Sequence, residues 1–226
     1  MNIKILSPVF ILLSVVYLLS LSAAPYTGQF LVKVAPIVVL IAIAASQLEG
    51  KPRSLIVAAL IASGIGDIFL ALTIENGFIF GLGAFLIAQM IYSFTFIRHR
   101  TSEPVSTFRK TLAGLITIYA ISMAVYILPD TGEMLIPVTI YLAVISIMGL
   151  SAIVGGLHPI AVLGALSFVA SDSALALGMF KTPLPYSSFV VMITYYLAQF
   201  AIVKGMILHC QASNVTTAEK ACHNAG

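Results

Sequence analysis

The chain has 226 residues, of which 60% are hydrophobic and 8% charged. Soluble domains carry about 25% charged residues, so this composition is that of a membrane protein rather than a water-soluble one. The net charge of +3 is small and the basic residues are scattered between apolar runs, which argues against nucleic-acid binding.

A transmembrane helix needs about 20 mostly apolar residues. Eight such runs occur, at 5–23, 29–48, 54–73, 78–97, 109–128, 134–152, 159–179 and 186–208. They are too long, and too little alternating, to be barrel strands. Turn residues and charges break them, as in Glu49-Gly50-Lys51-Pro52-Arg53, Glu75-Asn76-Gly77 and Leu128-Pro129-Asp130-Thr131-Gly132. The expected fold is all-α: a polytopic bundle of eight transmembrane helices in one domain over 1–208. A cytoplasmic, disordered tail is expected over 209–226.

The first run has features of a signal peptide, with Lys4, an apolar stretch and small residues at Ser22-Ala23-Ala24. Its apolar part exceeds the usual 7–15 residues and Pro25 follows at once, so it is read as a retained helix. Lys33 lies early in the second run. Its side chain either snorkels to the headgroups or reaches a buried acid or a lipid phosphate. The third run holds Asp67, with Ser63 one helical turn before it and Gly64 and Gly66 beside it. These glycines, and the Gly77-x-x-x-Gly81 spacing that opens the fourth run, read as close helix contacts. The fourth run carries Gln89, the seventh Ser171 and Asp172, and the eighth Tyr195, Tyr196 and Gln199.

An ionisable group in hydrocarbon costs roughly 2.5–3.5 kcal/mol on insertion scales, so it faces protein or water and marks a functional site. Asp67 and Asp172 are the two acids placed deep in apolar runs; the other six fall at segment ends, loops or the tail. Their contexts repeat. In a 105-residue register Leu70, Ala71 and Leu72 match Leu175, Ala176 and Leu177. In the next helix Phe85-Leu86-Ile87-Ala88-Gln89 matches Tyr195-Tyr196-Leu197-Ala198-Gln199. Helices 1–4 and 5–8 then form a parallel repeat about an axis along the membrane normal. At 1.5 Å per residue Asp67 and Asp172 lie about 12–13 Å from the outer face, and Gln89 and Gln199 about 16–20 Å down. Ser63, Gln89, Ser171, Tyr195 and Gln199 can therefore share one polar pocket with the two acids.

Lys and Arg set the orientation. One side receives Lys4, Lys51, Arg53, Arg98, Arg100, Arg109, Lys110, Lys204 and Lys220, the other Lys33 and Lys181, which places both termini in the cytoplasm. Cys210 and Cys222, on that side, are not expected to form a disulfide. His209-Cys210 and Cys222-His223 lack the close-pair spacing of a zinc site, so no metal is expected. Gly81-x-Gly83 follows no strand and is not a nucleotide loop. There is no Gly-x-Ser-x-Gly elbow and no mid-membrane His, which disfavours a serine hydrolase.

Five motifs carry a resemblance. They are Ser63-x-x-Gly66-Asp67, Phe85-Leu86 through Tyr92, Pro137-Val138 with Tyr141, Ser171-Asp172, and Thr194-Tyr195-Tyr196-Leu197-Ala198-Gln199. In this combination the chain resembles the YhhN-like lysoplasmalogenase family of integral membrane proteins over about residues 30–205. It departs from the family pattern twice. Gln89 stands where the family often has His, and Val34-Ala35 separates Lys33 from Pro36. The resemblance implies hydrolysis of a lyso-lipid vinyl ether to a fatty aldehyde and a glycerophospho-headgroup. Asp67 and Asp172 would be the catalytic acid and base, in unassigned order, as in glycosidase carboxylate pairs. Lys33, Ser63, Gln89, Tyr92, Tyr141, Ser171, Tyr195 and Gln199 would form the substrate site. Water and membrane lipids would be the partners, with no cofactor, no nucleic acid and no obligate protein partner. A bacterial inner membrane is the expected location. The rival readings are a proton-coupled small transporter or lipid carrier using the same acids, and a structural membrane protein without turnover.

Overall fold

The structure, a computed structural model, describes residues 3–182 and 186–223. Each predicted run is a helix: α1 (Ile3–Ser20), α2 (Gln29–Gln47), α3 (Gly50–Ala71), α4 (Gly77–Arg98), α5 (Thr107–Ile127), α6 (Leu135–Val154), α7 (Pro159–Phe180) and α8 (Ser187–His223). Among the described residues, eight helices are long and apolar enough to cross a membrane. The chain is an integral membrane protein.

Hydrocarbon offers no partner to a polar group, so the chain satisfies its own. The hydroxyls of Ser14, Thr95, Thr117, Ser122, Thr139, Ser146 and Ser173 each donate to the carbonyl four residues back. Between helices the chain reverses at positions suited to it. Gly28 (φ 83°) precedes α2 and Asn76 (φ 60°) precedes α4, residue types that tolerate the left-handed region. Pro159 opens α7 at a position where its missing N–H costs nothing, and His158 Nδ1 accepts from the Ile160 N–H at 3.3 Å.

Two helical hairpins, α3/α4 and α7/α8, make the most extensive contacts in the molecule. Small residues bring their axes together. A Cβ on Gly205 would stand 2.2 Å from the Ala161 nitrogen, and one on Gly164 2.6 Å from the Ile202 nitrogen. In the first hairpin a Cβ on Gly66 would meet the Phe85 ring at 2.6 Å, and one on Gly81 would meet Leu70 at 2.8 Å. Helix α5 stands outside this core and buries only Ile127.

Contacts define two ends of the bundle. At one, the Thr101 N–H donates to the Gly155 carbonyl and His209 Nε2–H to the His99 carbonyl, both at 2.8 Å. There the Arg109 guanidinium donates to the Ile153 and Leu157 carbonyls at 2.8 and 2.7 Å, closing the end of α6 with a cation as helix C-termini favour. Arg109, in the first turn of α5, is thus a structural cap as well as one of the residues that set the orientation. At the other end Lys181 pairs with Asp130 and lies 4.4 Å from the Tyr126 ring centre, and Phe78 packs edge-on against Phe180.

The largest departure from expectation is in α8. Its apolar span runs to Ser213, past the predicted end at 208, and residues 209–213 are helical where a disordered tail was expected to begin. The His209–His99 hydrogen bond and the half-buried Cys210 hold this part of α8 to the bundle. The Cys222 and His223 side chains lie outside the described ones.

Candidate active site

Asp67 is 1% exposed, on the face of α3 that the adjacent small residues open to neighbouring helices. Its Oδ1 lies 3.2 Å from the Lys33 ammonium of α2, and its Oδ2 accepts from the Tyr195 hydroxyl of α8 at 2.6 Å. Tyr196, the next residue on α8, donates to the Lys33 carbonyl at 2.8 Å. Three helices therefore meet at one carboxylate. Lys33 takes the inward of its two expected courses: it is 7% exposed and pairs with the acid instead of snorkelling. Desolvating an ammonium and a carboxylate is tolerable because each finds the other and Tyr195 supplies a further hydrogen bond.

Asp172, on α7, accepts a short hydrogen bond at Oδ2 from the Tyr141 hydroxyl of α6. The fold brings Asp67 and Asp172 to the same open space. Both line a single cavity of about 840 Å³, together with Lys33, Gln29, Tyr17, Ser171 and Tyr195. A second, narrow space of about 50 Å³ opens among α4, α5, α6 and α7, with Leu82, Met123, Leu142 and Ile145 on its walls. Asp172 and Phe85 line both, so the second carboxyl stands between an apolar slot and a more polar chamber.

The remaining candidates lie behind the cavity wall. Tyr92 donates to Gln199 Oε1 at 2.6 Å, and both are completely buried. The Gln199 amide lies beside the Tyr195 hydroxyl, Gln89 beside that of Tyr141, and Ser63 beside that of Tyr92. Among the described residues, Ser63 Oγ, both Gln89 amide atoms and Gln199 Nε2 nevertheless find no hydrogen-bond partner. These groups form a polar layer backing the two tyrosines that hold the acids. Ser171 lines the cavity, but its hydroxyl donates to the Val191 carbonyl at 2.9 Å and so ties α7 to α8.

Tyr17 and Gln29 were not among the expected residues. Gln29 Nε2 donates to the Tyr17 hydroxyl at 3.4 Å on the cavity wall, linking α1 to α2. In the sequence Tyr17 is one aromatic in an apolar run and Gln29 is a helix-terminal polar residue, and neither signals a site. Among the described residues no group of His, Cys, Asp and Glu is arranged to hold a metal.

An eight-span bundle that brings one buried and one half-buried acid onto one cavity defines a candidate intramembrane site. The YhhN family matches over residues 28–206, and the chain belongs to that family. It is 33% identical over 153 residues to lysoplasmalogenase TMEM86A of Bos taurus, covering 63% of this chain and 61% of that protein. It is 32% identical over 152 residues to a lysoplasmalogenase of Mycobacterium tuberculosis (strain CDC 1551 / Oshkosh), covering 66% and 58%. Lysoplasmalogenase TMEM86B of Sus scrofa is 30% identical over 202 residues, covering 88% and 84%. The chain thus spans about three-fifths of the length of the first two relatives. No solved structure matches it.

Proposed function

We propose that this protein is an intramembrane hydrolase that cleaves the vinyl ether of a lysoplasmalogen or a closely related single-chain lipid. The observation that carries this reading is the place of Asp172, between the apolar slot and the larger chamber that also holds Asp67. A lyso-lipid with its glycerophospho-headgroup in the chamber and the first carbons of its alkenyl chain in the slot puts the vinyl ether beside both carboxyls. Lys33 and Gln29 are the polar groups that the α2 wall offers to the headgroup phosphate.

The environments divide the roles. Asp67 shares its charge with Lys33 and is the ionised partner, whereas no cation pairs with Asp172 among the described residues. Asp172 transfers its proton to the outer vinyl carbon; the π pair forms the new C–H bond and an ether lone pair forms the oxocarbenium. Water adds to that cation and gives a proton to Asp67, producing a hemiacetal. On collapse Asp67 returns its proton to the glycerol oxygen as the C–O bond breaks. The hemiacetal hydroxyl proton goes to Asp172. One water is consumed and both acids regain their starting states, the exchange of duties typical of paired carboxyls.

The transporter reading is less well supported. Beyond the acids, toward the Arg109 end, Ile56, Leu60, Phe96, Met148, Ile153 and Leu157 are completely buried. This layer leaves the cavity a blind pocket, which suits turnover more than passage. The deciding experiment supplies purified protein with an alkenyl lyso-lipid and with its ester analogue. Aldehyde from the first and no fatty acid from the second is expected, with one deuterium on the carbon next to the aldehyde when the reaction runs in D2O. Fatty acid from the ester, without aldehyde from the alkenyl lipid, would overturn the reading.

A further inference from the structure

The walls of the large cavity are not distributed evenly along the bundle. Its deep part is formed by Lys33, Asp67, Asp172 and Tyr195, and its outer part by Ala24, Thr73 and Ser188, all three exposed. Ala24, Thr73 and Ser188 belong to or border the α1–α2, α3–α4 and α7–α8 connections, so the mouth lies at the Lys181–Asp130 end. At the opposite end the His209–His99 and Arg109–Leu157 hydrogen bonds lie over a closely packed layer.

The same two ends differ in charge. Nine Lys and Arg belong to the sealed end by sequence, against Lys33 and Lys181 in the half of the bundle that carries the mouth. The structure sharpens the contrast, because both mouth-end cations are paired: Lys33 with Asp67 inside the bundle and Lys181 with Asp130. Cationic flanks stay on the cytoplasmic side during insertion. We infer that the catalytic chamber opens on the extracytoplasmic face, so that the protein takes single-chain phospholipid from the outer leaflet and releases the headgroup product outside the cytoplasm. The substrate half of this inference rests on the hydrolase reading above; the orientation half does not.

The test uses the full chain in sealed membranes, with Cys210 and Cys222 replaced by Ser. Ser188→Cys reports the mouth and Ser102→Cys, on the exposed α4–α5 connection, reports the sealed end. A membrane-impermeant maleimide added outside intact cells is expected to consume the thiol of Ser188→Cys. Ser102→Cys should keep its thiol until the membrane is permeabilised. The reverse pattern overturns the proposal. Thr73→Cys, also exposed at the mouth, serves as a second reporter should Ser188→Cys fail to fold. Alkenyl lyso-lipid added outside should protect Ser188→Cys from the maleimide, and unchanged labelling at saturating lipid counts against the mouth assignment. In right-side-out vesicles, turnover of externally added alkenyl lyso-lipid should match that after detergent; in inside-out vesicles it should stay latent until detergent is added. Equal activity in both sealed preparations overturns extracytoplasmic entry. Absence of turnover even in detergent refutes the hydrolase reading and leaves the orientation to the labelling.

Discussion

Lys33 and Asp67 form a 3.2 Å ion pair whose side chains are 8% and 2% exposed, one at each side of the α2/α3 contact. Such a pair is costly to break on one side only, because the survivor is left charged and unpaired. Lys33→Met is therefore expected to lower stability by about 3–5 kcal/mol. Lys33→Met with Asp67→Asn should recover most of that loss while remaining inactive. Thermal unfolding in detergent, followed by size exclusion, reads both. Equal stability of Lys33→Met and wild type would show that the pair does not form in the membrane.

Asp67→Asn and Asp172→Asn keep the shape of each carboxyl and remove its acid–base chemistry. Each is expected to reduce aldehyde release by about 10²–10⁴-fold, the usual contribution of a positioned acid or base. Both variants should elute as folded protein. Full turnover by either one excludes the two-carboxyl mechanism.

Tyr141 and Tyr195 each donate to one of the acids. Phenylalanine retains the rings, including the edge-on contacts of Tyr195 with Phe85 and Phe168, and deletes only the donor. A hydrogen bond to a charged group is worth about 1.5–3 kcal/mol, so Tyr195→Phe should slow turnover about 10- to 150-fold if the bond is made chiefly in the transition state. Tyr141→Phe should act in the same direction. The comparison of kcat with KM separates this from a headgroup effect, since a positioning role falls on kcat.

The buried Tyr92–Gln199 hydrogen bond gives a test of the polar layer behind the cavity. Gln199→Leu strands the Tyr92 hydroxyl, at a cost of about 1–3 kcal/mol. Adding Tyr92→Phe should restore part of the lost stability. Additive losses in the double variant would mean that the two groups are not partners. Gln89→His, which keeps a hydrogen-bonding side chain at this depth, should retain aldehyde release.

Several of these relationships could not be read from the chain. In the repeat register Tyr195 corresponds to Phe85, so two equivalent aspartates would be expected to meet equivalent neighbours. Instead Tyr195 reaches Asp67 across 128 positions, while Phe85 lines the cavity beside Asp172 without a hydroxyl and Tyr141 of α6 supplies the donor. Which ring faces which acid depends on how the helices are rotated against one another, and that follows in part from close contacts such as Gly205 of α8 against Ala161 of α7. Gln89 and Gln199 do not line the cavity that holds the acids, although their depth predicts a shared pocket. Their depth is a local count of residues, but their place behind the wall is a matter of helix rotation.

The sequence by itself determined eight membrane helices, because a run of about 20 apolar residues is a local property that needs no partner to span hydrocarbon. It also singled out Asp67, Asp172 and Lys33, because a charge in an apolar run is conspicuous whatever surrounds it. Tertiary structure alone decided that Lys33 turns inward, that Asp172 stands between slot and chamber, and that the chamber opens at the less basic end. In hydrocarbon every helix face is apolar, so periodicity does not say which face is inside. The few polar side chains and the small residues that let helices touch settle that, and they do so only together.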